Sequence, residues 1–185
     1  VDEYWFFVGN GINKLFERAL SEGEKTEENL LKIRREFLDY HGKHNMDYST
    51  PYPGITEPLH KLLETGYLLA VASNKYQTAT VELVAHYFPE IHFKAVLGQR
   101  EGVPVKPDPT IVNEILEITG IARDEVLYVG DSGVDMQTTK NANVAGVGVT
   151  WGFRPRAELE SFEPEYIVDK AEEIWETLQE FTTDY

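Results

Sequence analysis

The chain has 185 residues, of which 42% are apolar and 26% charged; this ordinary globular usage excludes disordered and fibrous classes. Seventeen basic residues against thirty-two acidic ones leave a formal charge of −15, a field that argues against a nucleic-acid partner and asks any small anionic substrate to find a locally positive pocket. There is no cysteine, which removes disulfides, thiolate nucleophiles and cysteine-ligated zinc from consideration.

The first 48 residues read as helix alone. Trp5, Phe6 and Phe7 are expected to be core aromatics of a small lobe. Ile12, Leu15, Phe16, Ala19 and Leu20 share one face of a helix over 12–20. A second helix over 26–41 carries Leu30, Ile33, Phe37 and Tyr40 at similar spacing, with Thr26 as its N-cap and Gly42 as its stop. Its charged residues, Glu27, Glu28, Arg34, Arg35 and Glu36, form a solvated face. His41 and His44 make an H-x-x-H with no further soft ligand nearby, a weak zinc signal.

Ser49-Thr-Pro-Tyr-Pro-Gly54 breaks the helical pattern with two prolines and a glycine and serves as a hinge. Beyond it, over 49–185, short apolar runs alternate with amphipathic helices. The runs fall at 68–72, 95–97, 126–129, 145–149 and 166–168; the helices fall at 55–65, 77–86, 110–119, 134–141 and 172–181. Strands apolar on both faces and separated by helices predict a doubly wound, Rossmann-like parallel sheet covered on each side. In such α/β sheets the ligand binds at the carboxyl ends of the strands. The expected architecture is therefore an α/β core, 49–185, with an all-helical cap, 1–48.

Three of those strand ends carry chemistry. The run 68–72 leads into Ser73-Asn74, a hydroxyl, an amide and backbone N–H groups able to bind phosphate oxygens; Ser73 could equally cap the helix that follows. Lys106, in Val-Pro-Val-Lys-Pro-Asp-Pro, is a cation held in a stiffened loop, or else a solvated loop lysine. The strand over 126–129 ends in Gly130-Asp131-Ser-Gly-Val-Asp135. Two carboxylates one helical turn apart at a strand tip suit a hard cation such as Mg²⁺; helix capping by Asp131 explains one acid but not the second.

Ser73-Asn74, Lys106 before Pro-Asp-Pro, and Gly130-Asp131-Ser-x-x-Asp135 together resemble motifs two, three and four of the haloacid dehalogenase superfamily. Residues 7–20, Phe-Val-Gly-Asn-Gly-Ile-Asn-Lys-Leu-Phe-Glu-Arg-Ala-Leu, look like the opening of the helical cap in its phosphoglycolate phosphatase branch. The resemblance runs from about Phe7 to Leu178. It implies phosphate-monoester hydrolysis through an aspartyl-phosphate, with charged oxygens stabilised by Mg²⁺, a lysine and a hydroxyl. Carried over by position, Ser73 and Asn74 bind the phosphoryl group and Lys106 neutralises it. Asp131 holds the metal, with Asp135 ligating or orienting from behind. The loop Gly9-Asn10-Gly11 is expected to face the site and help select the substrate.

The chain departs from the family in having no D-x-D followed by Gly-Thr, the motif that ends the family's central strand and supplies its nucleophile. The expectation is that this strand and its aspartate lie upstream of Val1 or come from another chain, and that these 185 residues alone are inactive. Loss of about five buried strand side chains at ~1.5–3 kcal/mol each approaches a domain's whole stability. Asn143 stands where the family has glycine, a position asparagine tolerates. The sequence thus predicts a Mg²⁺-dependent phosphatase for a small phosphorylated metabolite, phosphoglycolate-like. A pyrophosphatase or a sugar-phosphate mutase is the alternative within the class, and a catalytically inactive phosphate-binding regulator the alternative outside it. No membrane-length apolar stretch or export signal is present, so the expected setting is cytoplasmic, as a monomer or homodimer without a nucleic-acid or membrane partner.

Overall fold

A computed structural model describes residues 11–183. Trp5, Phe6, Phe7, Gly9 and Asn10 lie outside the described residues. The helical lobe consists of α1 (Ile12–Ala19) and α2 (Glu27–His44). Phe16, 3% exposed, meets Phe37 edge to face at 5.3 Å between ring centroids, and this contact joins the two helices. The Thr26 hydroxyl accepts from Asn29 N at 3.2 Å, the expected cap. Gly42 does not stop the helix. The chain stays helical through His44 and leaves at Asn45 with φ −65°, so the turn makes no use of glycine's left-handed freedom.

The second part contains α3 (Thr56–Glu64), β1 (Leu69–Tyr76), α4 (Gln77–Tyr87), β2 (Phe93–Gln99), α5 (Thr110–Thr119), β3 (Leu127–Gly130), α6 (Gly133–Ala142), β4 (Ala145–Val149), α7 (Arg156–Glu160), β5 (Tyr166–Val168) and α8 (Glu173–Thr183). Every strand pair is parallel, and the helices between strands supply the crossovers that parallel pairing requires. The result is the expected α/β fold. The helix α7 has no counterpart in the sequence reading, because five residues give too short a period to detect.

The strands form two groups, β1-β2 and β3-β4-β5. They are tied together by helices on both faces. On one face Leu62 of α3 and Ile174 of α8 pack with Val147, Val149 and Val168, and this cluster also takes in Leu69 and Leu127. On the other, Ile111 and Val112 of α5 pack with Ala142 and Val144, joined by Ala72, Leu97, Val126 and Tyr128. Each cluster draws on both strand groups, so the two act as one doubly covered layer.

Among the described residues, nothing pairs with the second edge of β1 or of β3. The sequence predicts strands buried on both faces; instead Ala70 is exposed and Val129 is 40% exposed. No strand among the described residues lies along these edges to cover them. The edge of β1 and the edge of β3 are nevertheless joined at their carboxyl ends by one side chain, Lys106.

Candidate active site

Ser73, Asn74, Lys106, Asp131 and Asp135 line one cavity of about 400 Å³ at the carboxyl ends of β1 and β3. The cap forms its other wall through Gly11, Ile12, Leu15, Phe37 and His41. That volume is the scale of a small-molecule site.

Lys106 is the hub. Its Nζ donates to Ala72 O at 3.0 Å, to Tyr128 Oη at 3.1 Å and to Asp135 Oδ1 at 2.7 Å. Both charged side chains are nearly dry, at 11% and 9% exposed. Burial works against the ammonium, but the Tyr128 and Asp135 oxygens around it prevail and hold its pKa above the ordinary lysine value. Burial likewise works against the Asp135 carboxylate; Lys106, with hydrogen bonds from Ser132 and Tyr128, keeps its pKa low instead. Tyr128, between them, is pushed up to about 12, chiefly by burial. The site therefore holds a fixed, fully charged lysine–aspartate pair.

The loop carrying Lys106 is locked to β1 by Asn74, whose amide donates to Lys106 O at 3.0 Å and accepts from Lys106 N at 2.8 Å. The sequence assigns Asn74 to phosphate; Asn74 lines the cavity, and its side chain also positions Lys106. Ser73 does not cap α4, whose N-cap is Tyr76 with no side-chain hydrogen bond. Its Oγ accepts from Lys75 N at 3.1 Å, and its own proton has no acceptor among the described residues.

Asp131 does not cap α6 either. Ser132 does, accepting from Asp135 N at 3.3 Å and donating to Asp135 Oδ2 at 2.6 Å. Asp131 is thereby spared. Its Oδ2 accepts from Phe153 N at 3.0 Å, and its other oxygen has no hydrogen bond among the described residues. Gly130 and Gly152 make room for both acids: a Cβ on Gly130 would lie 2.2 Å from Asp135 Cβ, and one on Gly152 2.2 Å from Asp131 Cβ. Gly11, at φ +83°, brings the start of α1 against the end of β2, where an added Cβ would sit 3.4 Å from Gln99 Oε1.

No group of three or more His, Asp or Glu side chains able to enclose a metal occurs among the described residues. Asp135 spends both oxygens on protein donors, so Asp131 is the carboxylate with coordination capacity to spare. A single carboxylate with substrate and water oxygens is an ordinary set for Mg²⁺. His41 and His44 do not converge: His44 pairs with Asp47 at 2.7 Å, while His41 stacks on Phe37.

Two groups escaped the sequence reading. Tyr128 is a strand residue whose contribution depends on contacts with Lys106 and Asp135. Lys75 sits in the cavity wall beside His41. Nothing local in the sequence signals either contact.

Residues 1–149 match the model of the haloacid dehalogenase-like hydrolase family. The chain belongs to that family. It is 33% identical to a phosphoglycolate phosphatase of Mesorhizobium japonicum, covering 97% of this chain and 81% of that protein. Against a phosphoglycolate phosphatase of Vibrio parahaemolyticus the identity is 29%, over 93% and 78%. A crystal structure of a "predicted phosphoglycolate phosphatase" from Haemophilus somnus superposes with a TM-score of 0.86 at 27% identity, covering 95% of this chain and 81% of that one. The haloacid dehalogenase-like fold accounts for the doubly covered parallel layer and for a helical lobe over the strand ends. Among the described residues, no helix is long and apolar enough to cross a membrane.

Proposed function

We propose that this phosphatase hydrolyses a small phosphate monoester of the 2-phosphoglycolate type, with Mg²⁺, through an aspartyl-phosphate. The observation that carries the reading is the convergence of Ser73, Lys106 and Asp131 on one cavity, with Lys106 held charged by Asp135. Similarity to phosphoglycolate phosphatases over nearly the whole chain supports the substrate class.

In this reading Ser73 donates its hydroxyl proton to a phosphoryl oxygen. Lys106 supplies a fixed positive charge. Its three protons already have acceptors, so an incoming phosphoryl oxygen takes one from the neutral Ala72 carbonyl at the least electrostatic cost. Charge held in place before reaction is what stabilises the transferring phosphoryl group. Asp131 would hold Mg²⁺, which when bound neutralises phosphoryl charge. Asp135 positions Lys106 and Asp131 contacts the metal, so neither is assigned the attack. The nucleophile is assigned to an aspartate outside these 185 residues, on a strand between the open edges of β1 and β3.

The test is phosphate release from 2-phosphoglycolate with and without Mg²⁺, for the 185-residue chain and for a version extended upstream by a D-x-D strand. Mg²⁺-dependent release by the extended protein alone supports the reading. Release by the 185-residue chain contradicts the nucleophile assignment, and no release by either contradicts the phosphatase reading.

A further inference from the structure

The cavity has a second positive group that the phosphoryl chemistry does not use. Lys75 follows Ser73-Asn74 at the end of β1, and its Nζ lies 3.5 Å from Nε2 of His41 on α2, across the seam between core and cap. Both line the cavity. The other cations there are committed: Lys106 to Asp135 at 2.7 Å, and Arg154 to Glu158 at 3.7 Å. Among the described residues, Lys75 has no carboxylate within 4 Å, although Glu82 is in the same wall. In a chain with thirty-two acids, a cavity-lining ammonium without an acidic partner among the described residues is the local exception.

Its surroundings sharpen the point. Lys75 is exposed as a residue, yet partial burial of its ammonium end lowers its pKa below the ordinary lysine value. Burial, and then the Lys75 charge, lower that of His41, so the imidazole is neutral and offers no competing charge. An anion arriving here would pair with the ammonium and gain a charge-assisted hydrogen bond. Tyr76, next in the chain and in the same wall, has a buried hydroxyl without a hydrogen-bond partner among the described residues. An unsatisfied buried donor is costly unless a ligand or water completes it.

The spacing fits a short bifunctional anion. Lys75 is two residues beyond Ser73, about 6–7 Å along an extended strand. A carboxylate joined to phosphorus through P–O–C–C spans that order of distance once hydrogen-bond lengths are added at each end. A phosphate monoester whose alcohol portion carries no charge would leave Lys75 unanswered.

We propose that Lys75, with His41 beside it, is the subsite for the carboxylate of a phosphorylated carboxylic acid, and that it distinguishes such substrates from phosphate monoesters whose alcohol portion carries no charge. The inference rests on the phosphatase reading above.

The test is titration calorimetry on the 185-residue chain with Mg²⁺, using inorganic phosphate, 2-phosphoglycolate and 2-hydroxyethyl phosphate, in which an alcohol replaces the carboxylate. The wild-type chain is expected to bind 2-phosphoglycolate about tenfold more tightly than 2-hydroxyethyl phosphate, the scale of one charge-assisted hydrogen bond. Lys75→Gln should bring the two affinities together, with the change falling on 2-phosphoglycolate, and Lys75→Arg should restore most of the preference. A preference that survives in Lys75→Gln overturns the subsite. So does an equal loss for both esters, which would place Lys75 on the phosphoryl group, or the absence of any preference in the wild-type chain. If the wild-type chain binds none of the three, the phosphatase reading fails and the subsite falls with it.

Discussion

Lys106 Nζ and Asp135 Oδ1 lie 2.7 Å apart in a pair almost closed to water. This contact ties the loop before α5 to the first turn of α6 and joins the ends of the two strand groups. A buried charge left without its partner typically costs about 3–5 kcal/mol. Asp135→Ala is therefore expected to lower unfolding stability by about that amount, as read by urea denaturation at neutral pH.

The same pair sets a pH window. The Asp135 pKa is depressed in the folded protein, so its contribution is complete above the unfolded aspartate value, about 3.9, and is lost as pH falls through the folded value. The Lys106 pKa is raised, so its contribution is complete below the unfolded lysine value, about 10.4, and is lost as pH rises through the folded value. The stability difference between wild type and Asp135→Ala should shrink as pH falls below about 4, where Asp135 gains its proton, and should also shrink toward alkaline pH, where the buried Lys106 of the variant, without its carboxylate, loses its proton more readily than the wild-type lysine. Denaturation series across pH check this; a difference that grows as pH falls below about 4 would contradict it.

Gly152 keeps Asp131 in place by having no side chain. With a Cβ due 2.2 Å from Asp131 Cβ, Gly152→Ala must displace the acid or the loop. The expected outcome is a stability loss of about 1–3 kcal/mol, the usual scale of overpacking, together with weakened Mg²⁺ binding in calorimetry. Gly23, with nothing within 4 Å of its added Cβ, provides the silent comparison as Gly23→Ala.

Among the described residues, Phe16 and Phe37 make the ring contact between the two cap helices. Phe16 is buried against Phe37, and Phe16→Ala should cost about 3–5 kcal/mol if cap and core unfold together. A separate low-temperature transition in calorimetry would instead mark the cap as its own cooperative unit.

The parts legible in the sequence are those written locally. Apolar runs gave the strands at Ala145–Val149 and Tyr166–Val168, and the helix over Thr110–Thr119, at their observed bounds. Thr26 and Asn143 perform the terminal roles their chemistry suggests; Asn143 takes the left-handed conformation at φ 54°. What was not legible depends on distant partners. The run 68–72 continues as strand through Ser73 and Asn74 to Tyr76, because β2 pairs beside it as far as Gln99. Asn74 holds a loop 32 residues away, and Lys75 meets His41 from 34 residues away. Tyr128 reads as an ordinary strand aromatic until Lys106 and Asp135 close around its hydroxyl. Gly42 misled because a glycine in a helix stops it only when the chain must turn there.

The account depends most on the cavity being a phosphate site completed by a metal at Asp131. Titrating inorganic phosphate into the chain, with and without Mg²⁺, for wild type and Asp131→Asn, tests that directly. The account predicts phosphate binding that Mg²⁺ strengthens in the wild type, and no Mg²⁺ enhancement in Asp131→Asn. Equal enhancement by Mg²⁺ in both proteins would contradict it.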